Sequence, residues 1–311
     1  STDADALVDS GEVEEFISKI KFTKHRECDT WTVESECVAC LVEKYQEKAI
    51  DALRRRELKK SEPADVMVLA GIFAPFNATP LMVQVFGALR LKEIKRSFAV
   101  DLDPDMPEFH DSVVIRAIRL RMNDQVDQAL DALCAVTDRK LRNLLEQFLI
   151  NLPKVEDPPS AEDTLVNNFV SPILRAFLQR TEDNIVAHFP NTESSTQKKQ
   201  GVPPDRPDFK LCIGKREIAF GEITGHQQKA DKSKNGYDLW RLARFGKSVL
   251  DEGASMVPLV QIIYEQGTIY RLVVRIRGIM VLAKVGVFTV PMHMNAIGAF
   301  QASMPVLEWL R

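Results

Sequence analysis

The first half of the chain repeats apolar residues at spacings of three and four, which is the pattern of amphipathic helices. Two of these segments also begin with residues that favour helix starts, Asp124 and the pair Thr137-Asp138. The pattern therefore predicts an all-helical N-terminal domain over residues 1–152. The predicted helices are residues 13–22, 40–60, 63–73, 79–98, 111–122, 124–136 and 138–152.

The pattern changes after Leu152–Thr164, a segment rich in proline and acidic residues that we interpret as an interdomain linker. Beyond it, helical patterns alternate with runs of β-branched and apolar residues, which predicts an α/β domain over residues 160–311. The predicted strands are 208–213, 216–224, 257–266, 268–278 and 279–290, and the predicted helices are 160–180, 236–253 and 293–311.

Composition narrows the class of protein only slightly. A formal net charge of −3 over 311 residues argues against a general attraction to nucleic acid, but it leaves room for a local basic patch. No apolar run approaches the ~18 residues of a membrane span. Five cysteines, an odd number in a long chain, fit a reducing compartment better than a disulfide framework. We therefore expect a cytoplasmic or nuclear protein. The basic run Arg54–Lys60 is either a nuclear signal or a solvated helix end.

Two carboxylates in the second half lie at the ends of predicted strands. Asp208 begins one strand, and Glu222 lies near the end of the next. Because side chains alternate along a strand, we expect Ile218, Phe220, Glu222 and Thr224 to share one face. A carboxylate at the end of an apolar strand is costly to bury unless it is paired or bound to a cation. If the strands pair as a hairpin, both carboxylates reach the same end of the sheet. Such a pair suits Mg²⁺, which prefers oxygen ligands and can activate a water for attack on a phosphodiester.

These residues resemble the motif of the PD-(D/E)XK nuclease superfamily. Pro207-Asp208 matches the PD element, Glu222 matches the (D/E) position, and Glu162 matches the acid often found in the first core helix. The helix Asp238–Asp251, "DLWRLARFGKSVLD", is similar to a helix of the form DLxRLxxFxKxxLD in nuclease-like domains of fungal proteins. The resemblance covers roughly the second half of the chain. It implies a restriction-endonuclease-like α/β core with a mixed sheet and, in active members, Mg²⁺-dependent cleavage of nucleic acid.

Thr224 departs from this pattern, because the superfamily places a lysine two residues after the acid. That lysine stabilises the attacking hydroxide or the charge that develops on the phosphate, and a threonine carries no charge. Some members supply the cation from the following helix. We take Lys232 as the catalytic candidate; the others are Lys229, Lys234, Arg241, Arg244 and Lys247, and Gln227 is a candidate for orienting a water.

Three of these cations, Arg241, Arg244 and Lys247, follow one another at spacings of three along the predicted helix. They can contact the phosphates of a nucleic acid. The alternative is that they form the solvated face of an amphipathic helix, opposite Leu239 and Leu242.

A group of histidine and cysteine residues precedes the second predicted helix. Its members are spaced as H-x2-C and C-x2-C, which suits tetrahedral, structural Zn²⁺ in a small module over residues 25–40. The alternative is that the second cysteine pair, at helical spacing, is simply buried. The four residues are His25, Cys28, Cys37 and Cys40.

The sequence thus favours a nuclease-fold protein with two readings. In the first, it is a Mg²⁺-dependent hydrolase of DNA or RNA that acts through Asp208 and Glu222, assisted by Glu162 and Lys232. In the second, the nuclease fold is catalytically degenerate and binds nucleic acid or protein, with the helical half as the partner-binding part. No phosphate-binding glycine loop is present in the sequence, so nucleotide-dependent chemistry has no support.

The zinc module can be tested by metal analysis of the whole protein purified without chelator. If the module forms, we expect one zinc per chain and its loss in Cys37→Ser, because a structural site needs all four ligands. Cys134→Ser is the matched control and should keep the metal. Protein that contains no stoichiometric zinc would contradict the module.

Overall fold

Helices occur throughout the part of the chain that the structure describes. The structure is a computed structural model and describes residues 31–100, 102, 111–157, 162–189, 193–201, 205–276 and 278–310. A π-helical turn, Val166–Val170, joins the eighth helix to the ninth. The helices are α1 (Val38–Arg54), α2 (Pro63–Met67), α3 (Pro80–Phe86), α4 (Ala88–Ser97), α5 (Asp111–Met122), α6 (Val126–Ala132), α7 (Arg139–Asn151), α8 (Glu162–Leu165), α9 (Ser171–Leu178), α10 (Ser195–Lys199), α11 (Lys232–Asp251), α12 (Ile297–Phe300) and α13 (Met304–Glu308).

Seven strands form a single mixed sheet in the order β3-β9-β8-β7-β6-β5-β4. The pairs β3–β9 and β6–β7 are parallel, and the other pairs are antiparallel. A separate two-stranded hairpin, β1–β2, precedes α1. The strands are β1 (Thr32–Val33), β2 (Glu36–Cys37), β3 (Ile72–Phe73), β4 (Ile185–His188), β5 (Phe209–Ile213), β6 (Arg216–Thr224), β7 (Met256–Ile263), β8 (Gln266–Ile276) and β9 (Ile279–Thr289).

Several helices begin at side chains that accept hydrogen bonds from the first turn. The Asp138 carboxylate accepts from the Leu141 amide at 2.7 Å, which confirms the predicted start of α7. Asp231 accepts from the Lys234 amide at 2.9 Å, so α11 begins at Lys232, four residues before the predicted start. Those four residues add one helical turn, and this extra turn matters for the site described below.

The sequence predicts that the first half is all-helical, but the structure shows that it is not. Gly71 has φ +77°, a left-handed conformation that ends the helical segment, and the fully buried pair Ile72–Phe73 then joins the large sheet beside β9. Gly87, with φ +74°, separates α3 from α4, which the sequence predicts as one helix. The Lys-rich loop before β5 also contains a short helix, α10. The predicted helix 13–22 lies outside the described residues.

Two hydrophobic cores lie on the two faces of the sheet. The first joins the segment 31–98 to α11 and one face of the sheet. The second joins residues 114–178 and the C-terminal helices to the other face. Each core therefore contains residues from both sides of the predicted linker, and the division into domains 1–152 and 160–311 stays a prediction.

The face of the sheet on which β6 places its side chains decides where the carboxylate goes. Phe220 packs in the core under α11, whereas Ala219 and Ile223 pack in the opposite core. Glu222 and Thr224 follow Phe220 at steps of two and therefore share its face, as strand alternation predicts, and α11 covers this face. Ile218 does not share this face, because a bulge between β5 and β6 shifts the register at that point and turns its side chain to the other core.

Gly236 sets how closely α11 approaches the segment before α2. A Cβ atom at this position would lie 2.0 Å from the carbonyl oxygen of Lys60, which is backbone and cannot rotate away. We therefore expect Gly236→Ala to destabilise the protein by about 1–3 kcal/mol in urea unfolding. This loss would exceed the gain of about 1 kcal/mol that alanine brings to a helix interior.

The matched control is Gly298→Ala in α12, where an added Cβ meets no atom within 4 Å. This variant should be as stable as the wild type or more stable. If Gly236→Ala were no less stable than the wild type, the close contact between α11 and Lys60 would be contradicted.

Candidate functional site

The pairing of β5 with β6 brings the two predicted carboxylates together. The Asp208 amide donates to the Gly221 carbonyl at 3.1 Å, and one Asp208 carboxylate oxygen accepts the Ile223 amide at 2.6 Å. The ring of Phe209 covers Gly221 so closely that a Cβ there would lie 1.7 Å from a ring carbon. Asp208 is therefore fixed against the backbone on either side of Glu222.

Glu222 is a buried carboxylate that is only partly satisfied. Its side chain is 2% exposed, and Oε2 accepts from Arg241 Nη1 at 3.1 Å. The other oxygen, Oε1, is buried and has no hydrogen-bond partner among the described residues. Burial, with the negative charge of Asp208 next, raises the pKa of Glu222 well above its ordinary value. Perturbation of this kind is typical of functional sites.

Asp208 shows the same tendency. Burial, with the charges of Glu162 and Asp238, raises its pKa to about 6, although the hydrogen bond from the Ile223 amide acts to lower it. The charges of Glu162 and Asp238 thus act on Asp208, and those of Asp208 and Asp238 act on Glu222, and we call these four residues the acidic cluster.

Lys234 contacts Thr224, the residue that departs from the motif. Its Nζ donates to the Thr224 hydroxyl at 3.3 Å and to the Asp238 carboxylate at 2.7 Å. The Thr224 hydroxyl also donates to Asp238 at 3.2 Å. Burial acts to lower the pKa of Lys234, but the hydrogen bond and charge of Asp238 outweigh it, and the pKa is raised. The side chain is therefore a held, charged ammonium beside Thr224.

Lys232, the catalytic candidate of the sequence, lies elsewhere. It is exposed and lines a groove of about 400 Å³ together with Asn77, Asn235 and Tyr270. Helical geometry explains the difference, because residues two apart on a helix do not share a face. Lys234, Asp238 and Arg241 are spaced by four and three, so they share the face of α11 that covers Glu222.

Glu162, at the start of α8, reaches the same end of β6. Its Oε2 accepts from the Gly225 amide at 3.3 Å, directly after Thr224. Its charge contributes to the raised pKa values of Asp208 and Lys234. The structure therefore brings this predicted residue to the cluster, at its exposed rim.

The predicted basic stripe shares one face of α11, but its charges are paired within the protein. Arg241 pairs with Glu222, and its other nitrogen donates to the Arg206 carbonyl at 2.7 Å. Arg244 lies 3.2 Å from a carboxylate oxygen of Asp205, and Lys247 lies 2.8 Å from one of Asp251. Phosphate contact by Arg244 and Lys247 therefore stays a prediction, and Arg241 contacts the acidic cluster.

Asp238 is the member of the cluster that sequence reasoning misses. It is 4% exposed and contacts Thr224, Lys234 and, at 3.7 Å, Arg241. A signal is present in the sequence, since Asp238 is the first residue of the DLxRL pattern and Arg241 is its arginine. The pattern does not reveal that both side chains turn toward the sheet.

A second buried glutamate on β6 provides a contrast. Glu217 is 1% exposed, but both oxygens of its carboxylate accept hydrogen bonds. Burial acts to raise the pKa of Glu217, but the hydrogen bonds to its carboxylate outweigh burial and lower the pKa to about 2. It fastens α10 to the sheet and is structural. Its donors are the Ser194 hydroxyl at 2.7 Å, the Ser195 and Thr196 amides at 2.9 and 3.1 Å, and Lys210 Nζ at 2.8 Å.

The fit of the cluster to Mg²⁺ rests on Asp208 and Glu222. Glu222 Oε1 is a buried carboxylate oxygen without a donor, which is the arrangement that a hard cation would complete. Within the described ranges, however, no group of three or more His, Cys, Asp and Glu side chains is arranged to hold a metal ion. Any ion here would therefore rely on two carboxylates and on oxygens from water or substrate.

The zinc ligands are only partly placed. Cys37 ends β2 and Cys40 lies in the first turn of α1, both half-buried, while His25 and Cys28 lie outside the described residues. The zinc module therefore stays a prediction. In the part of the chain that the structure describes, no helix is long and apolar enough to cross a membrane.

Comparison with family models, curated proteins and solved structures gives no match for this chain.

The raised pKa of Asp208 can be tested through the pH dependence of the free energy of unfolding. A carboxyl whose folded pKa is raised stays protonated in the folded state while the unfolded chain has already lost its proton, so it lowers stability as pH rises from about 4 to about 6. Asp208→Asn removes this ionisation and keeps an oxygen for the Ile223 amide. We expect it to be about 2 kcal/mol more stable than the wild type at pH 8 in urea unfolding, and equally stable near pH 4.

Glu217→Gln is the matched control of opposite sign. In the wild type, the pKa of folded Glu217 is lowered to about 2. The Glu217 carboxylate therefore adds stability that is present at neutral pH and is lost as pH falls from 4.5 toward 2. This variant should be less stable than the wild type at pH 8 by about 2–3 kcal/mol. If Asp208→Asn behaved in the same way, the strained ionisation of Asp208 would be contradicted.

Proposed function

We propose that the protein is a metal-dependent nuclease with a PD-(D/E)XK-like fold, in which Asp208 and Glu222 hold Mg²⁺ and Lys234 replaces the motif lysine. One observation carries the proposal: the Lys234 ammonium contacts the hydroxyl of Thr224, the residue that stands at the motif position. The mixed sheet with α11 across one face is consistent with such a core.

The proposed reaction is hydrolysis of a phosphodiester in DNA or RNA. The oxygen of a water bonds to phosphorus, the ester P–O bond breaks, and the leaving oxygen takes up a proton. Mg²⁺ held by the two carboxylates would supply Lewis acidity and lower the pKa of a bound water. Lys234 would stabilise negative charge on the attacking oxygen or on the phosphate, because its own charge is held ready by Asp238.

Glu162 and Asp238 have supporting roles in this proposal. Asp238 fixes the Lys234 ammonium against Thr224, and helix geometry makes this possible because the two residues are four apart. Glu162 fastens the amide of Gly225 at the end of β6 and adds negative charge at the rim. Both keep the lysine protonated.

One specific observation favours the second function, a degenerate nuclease fold that binds nucleic acid or protein. Arg241 already pairs with Glu222 and thereby takes one of the oxygens that a metal ion needs. In a protein that never binds metal, this ion pair would be the permanent replacement for the cation.

Cleavage assays separate the two functions. Mixed DNA and RNA substrates are incubated with the whole protein and Mg²⁺ or Mn²⁺. We expect cleavage that Asp208→Asn and Glu222→Gln abolish, and a fall of about 10²–10³-fold in rate for Lys234→Met, which removes one charge that stabilises the transition state. Lys232→Met is the matched control and should cleave at the wild-type rate.

Two results would decide against the nuclease. Cleavage that survives both carboxylate substitutions would show that the activity comes from another site or a contaminant. Binding of nucleic acid without any metal-dependent cleavage would favour the degenerate fold. A different result would contradict only the role of Lys234. If Lys232→Met lost rate and Lys234→Met did not, Lys232 would be the catalytic cation.

A further inference from the structure

Arg241 connects the two sides of the acidic cluster. Nη1 lies 3.1 Å from Glu222 Oε2 and 3.7 Å from Asp238 Oδ1, and Nη2 donates to the Arg206 carbonyl at 2.7 Å. Arg206 belongs to the segment that leads directly into Asp208. A single guanidinium thus spans from the strand that carries Glu222 to the segment that carries Asp208.

We propose that Arg241 is the substrate-binding residue of this site, and that a phosphate of the nucleic acid draws it away from Glu222 and thereby frees that carboxylate for the metal ion. This inference rests on the proposed nuclease function and adds an order to it. In the free protein the guanidinium opposes the ion. In the complex with nucleic acid, the same group binds the substrate.

The opposition between Arg241 and a metal ion follows from their shared partner. A cation held by Glu222 would use the carboxylate that Arg241 already contacts, and the two positive charges would repel each other in a site where Glu222 is 2% exposed. Glu222 Oε1 remains without a donor, so the arginine satisfies the carboxylate only in part. The ion pair is therefore one that a better arrangement of charges can replace.

A phosphate is the group best suited to take Arg241 over. The planar guanidinium offers paired N–H donors that match phosphate oxygens as well as carboxylate oxygens. The Arg241 side chain is 19% exposed, compared with 6% for Asp238, so it reaches the surface from within the cluster. Lys234 is held differently, because both Thr224 and Asp238 bind its ammonium. Of the two cations, Arg241 is therefore the one whose departure would free Glu222, although the Lys234 side chain is the more exposed, at 29% against 19%.

Titration of Mn²⁺ into the whole metal-free protein tests the exchange without measuring cleavage. We expect Arg241→Gln to bind Mn²⁺ about tenfold more tightly than the wild type, because the competing charge is gone. A short phosphorothioate DNA, the probe for phosphate groups, should tighten Mn²⁺ binding in both proteins, because its oxygens can bind the ion directly. The tightening should be about tenfold greater for the wild type than for Arg241→Gln, because only the wild type has an arginine to draw away from Glu222.

Two further variants control the experiment. Arg244→Gln removes a cation of the same helix face that pairs with Asp205, and it should bind Mn²⁺ as the wild type does. Arg241→Lys keeps a positive charge without the paired donors. It should keep the low Mn²⁺ affinity of the free protein and lose most of the effect of DNA.

The outcomes distinguish this inference from the proposed function. If the wild type and Arg241→Gln bind Mn²⁺ equally, or if Arg241→Gln binds it more weakly while remaining folded by circular dichroism, the exchange is wrong and the metal site stands. If neither protein binds Mn²⁺, with or without DNA, the metal site and the exchange are both wrong. Tighter binding by Arg244→Gln to the same extent would show a general charge effect and also overturn the exchange.

Discussion

The site depends on one constraint, the burial of the Glu222 carboxylate under α11. An ionised carboxylate removed from water costs several kcal/mol unless other charges and donors compensate for it. The sheet supplies none of these to Glu222, because its backbone groups are used by the β5–β6–β7 pairing. The compensation comes from Arg241, which the helix places above the strand. The acidic cluster therefore exists only while α11 is docked on this face of the sheet.

The docking of α11 is in turn an effect of packing. Phe245 of α11 stacks on Phe220 of β6 with ring centroids 5.1 Å apart. Phe220 lies two residues before Glu222 and on the same face of the strand. Gly236 and Gly246 allow close approach to Lys60 on one side and to Leu259 and Leu272 on the other. Apolar contacts and two glycines thus hold the helix at a height that lets Arg241 and Lys234 reach the carboxylates. The charged groups then add function at a cost in stability, as the raised pKa values of Asp208 and Glu222 indicate.

How much of this could be predicted from the sequence depends on the range of the interaction. Strand alternation correctly placed Glu222 and Thr224 on one face, because that rule is local. It failed at Ile218, where a bulge opposite Leu211 and Cys212 turns the side chain over, and no residue pattern marks the bulge.

The buried pair Ile72–Phe73 was predicted as helix because its strand partner, β9, lies about 200 residues later in the chain. The sequence pattern also did not single out Lys234 as the lysine that contacts Thr224, for a related reason. The helix was predicted to begin at Gly236, and only a start at Lys232, capped by Asp231, gives these lysines helical directions.

In the proposed nuclease, the role of the motif lysine would be divided between a hydroxyl on strand β6 and an ammonium on helix α11. A lysine on β6 would combine position and charge in a single side chain. Here the strand contributes the Thr224 hydroxyl, and the helix contributes the ammonium, which Asp238 holds at 2.7 Å. This arrangement needs a third buried acid, and the added negative charge of Asp238 raises the pKa values of Asp208 and Glu222. That excess of negative charge accounts for the contacts of a second cation, Arg241, with Glu222 and Asp238. When Asp208, Glu222 and Asp238 are all ionised, their charge exceeds that of Lys234 and Arg241 by one. A divalent ion that takes the place of Arg241 would correct this imbalance, because it brings two positive charges for the one that leaves.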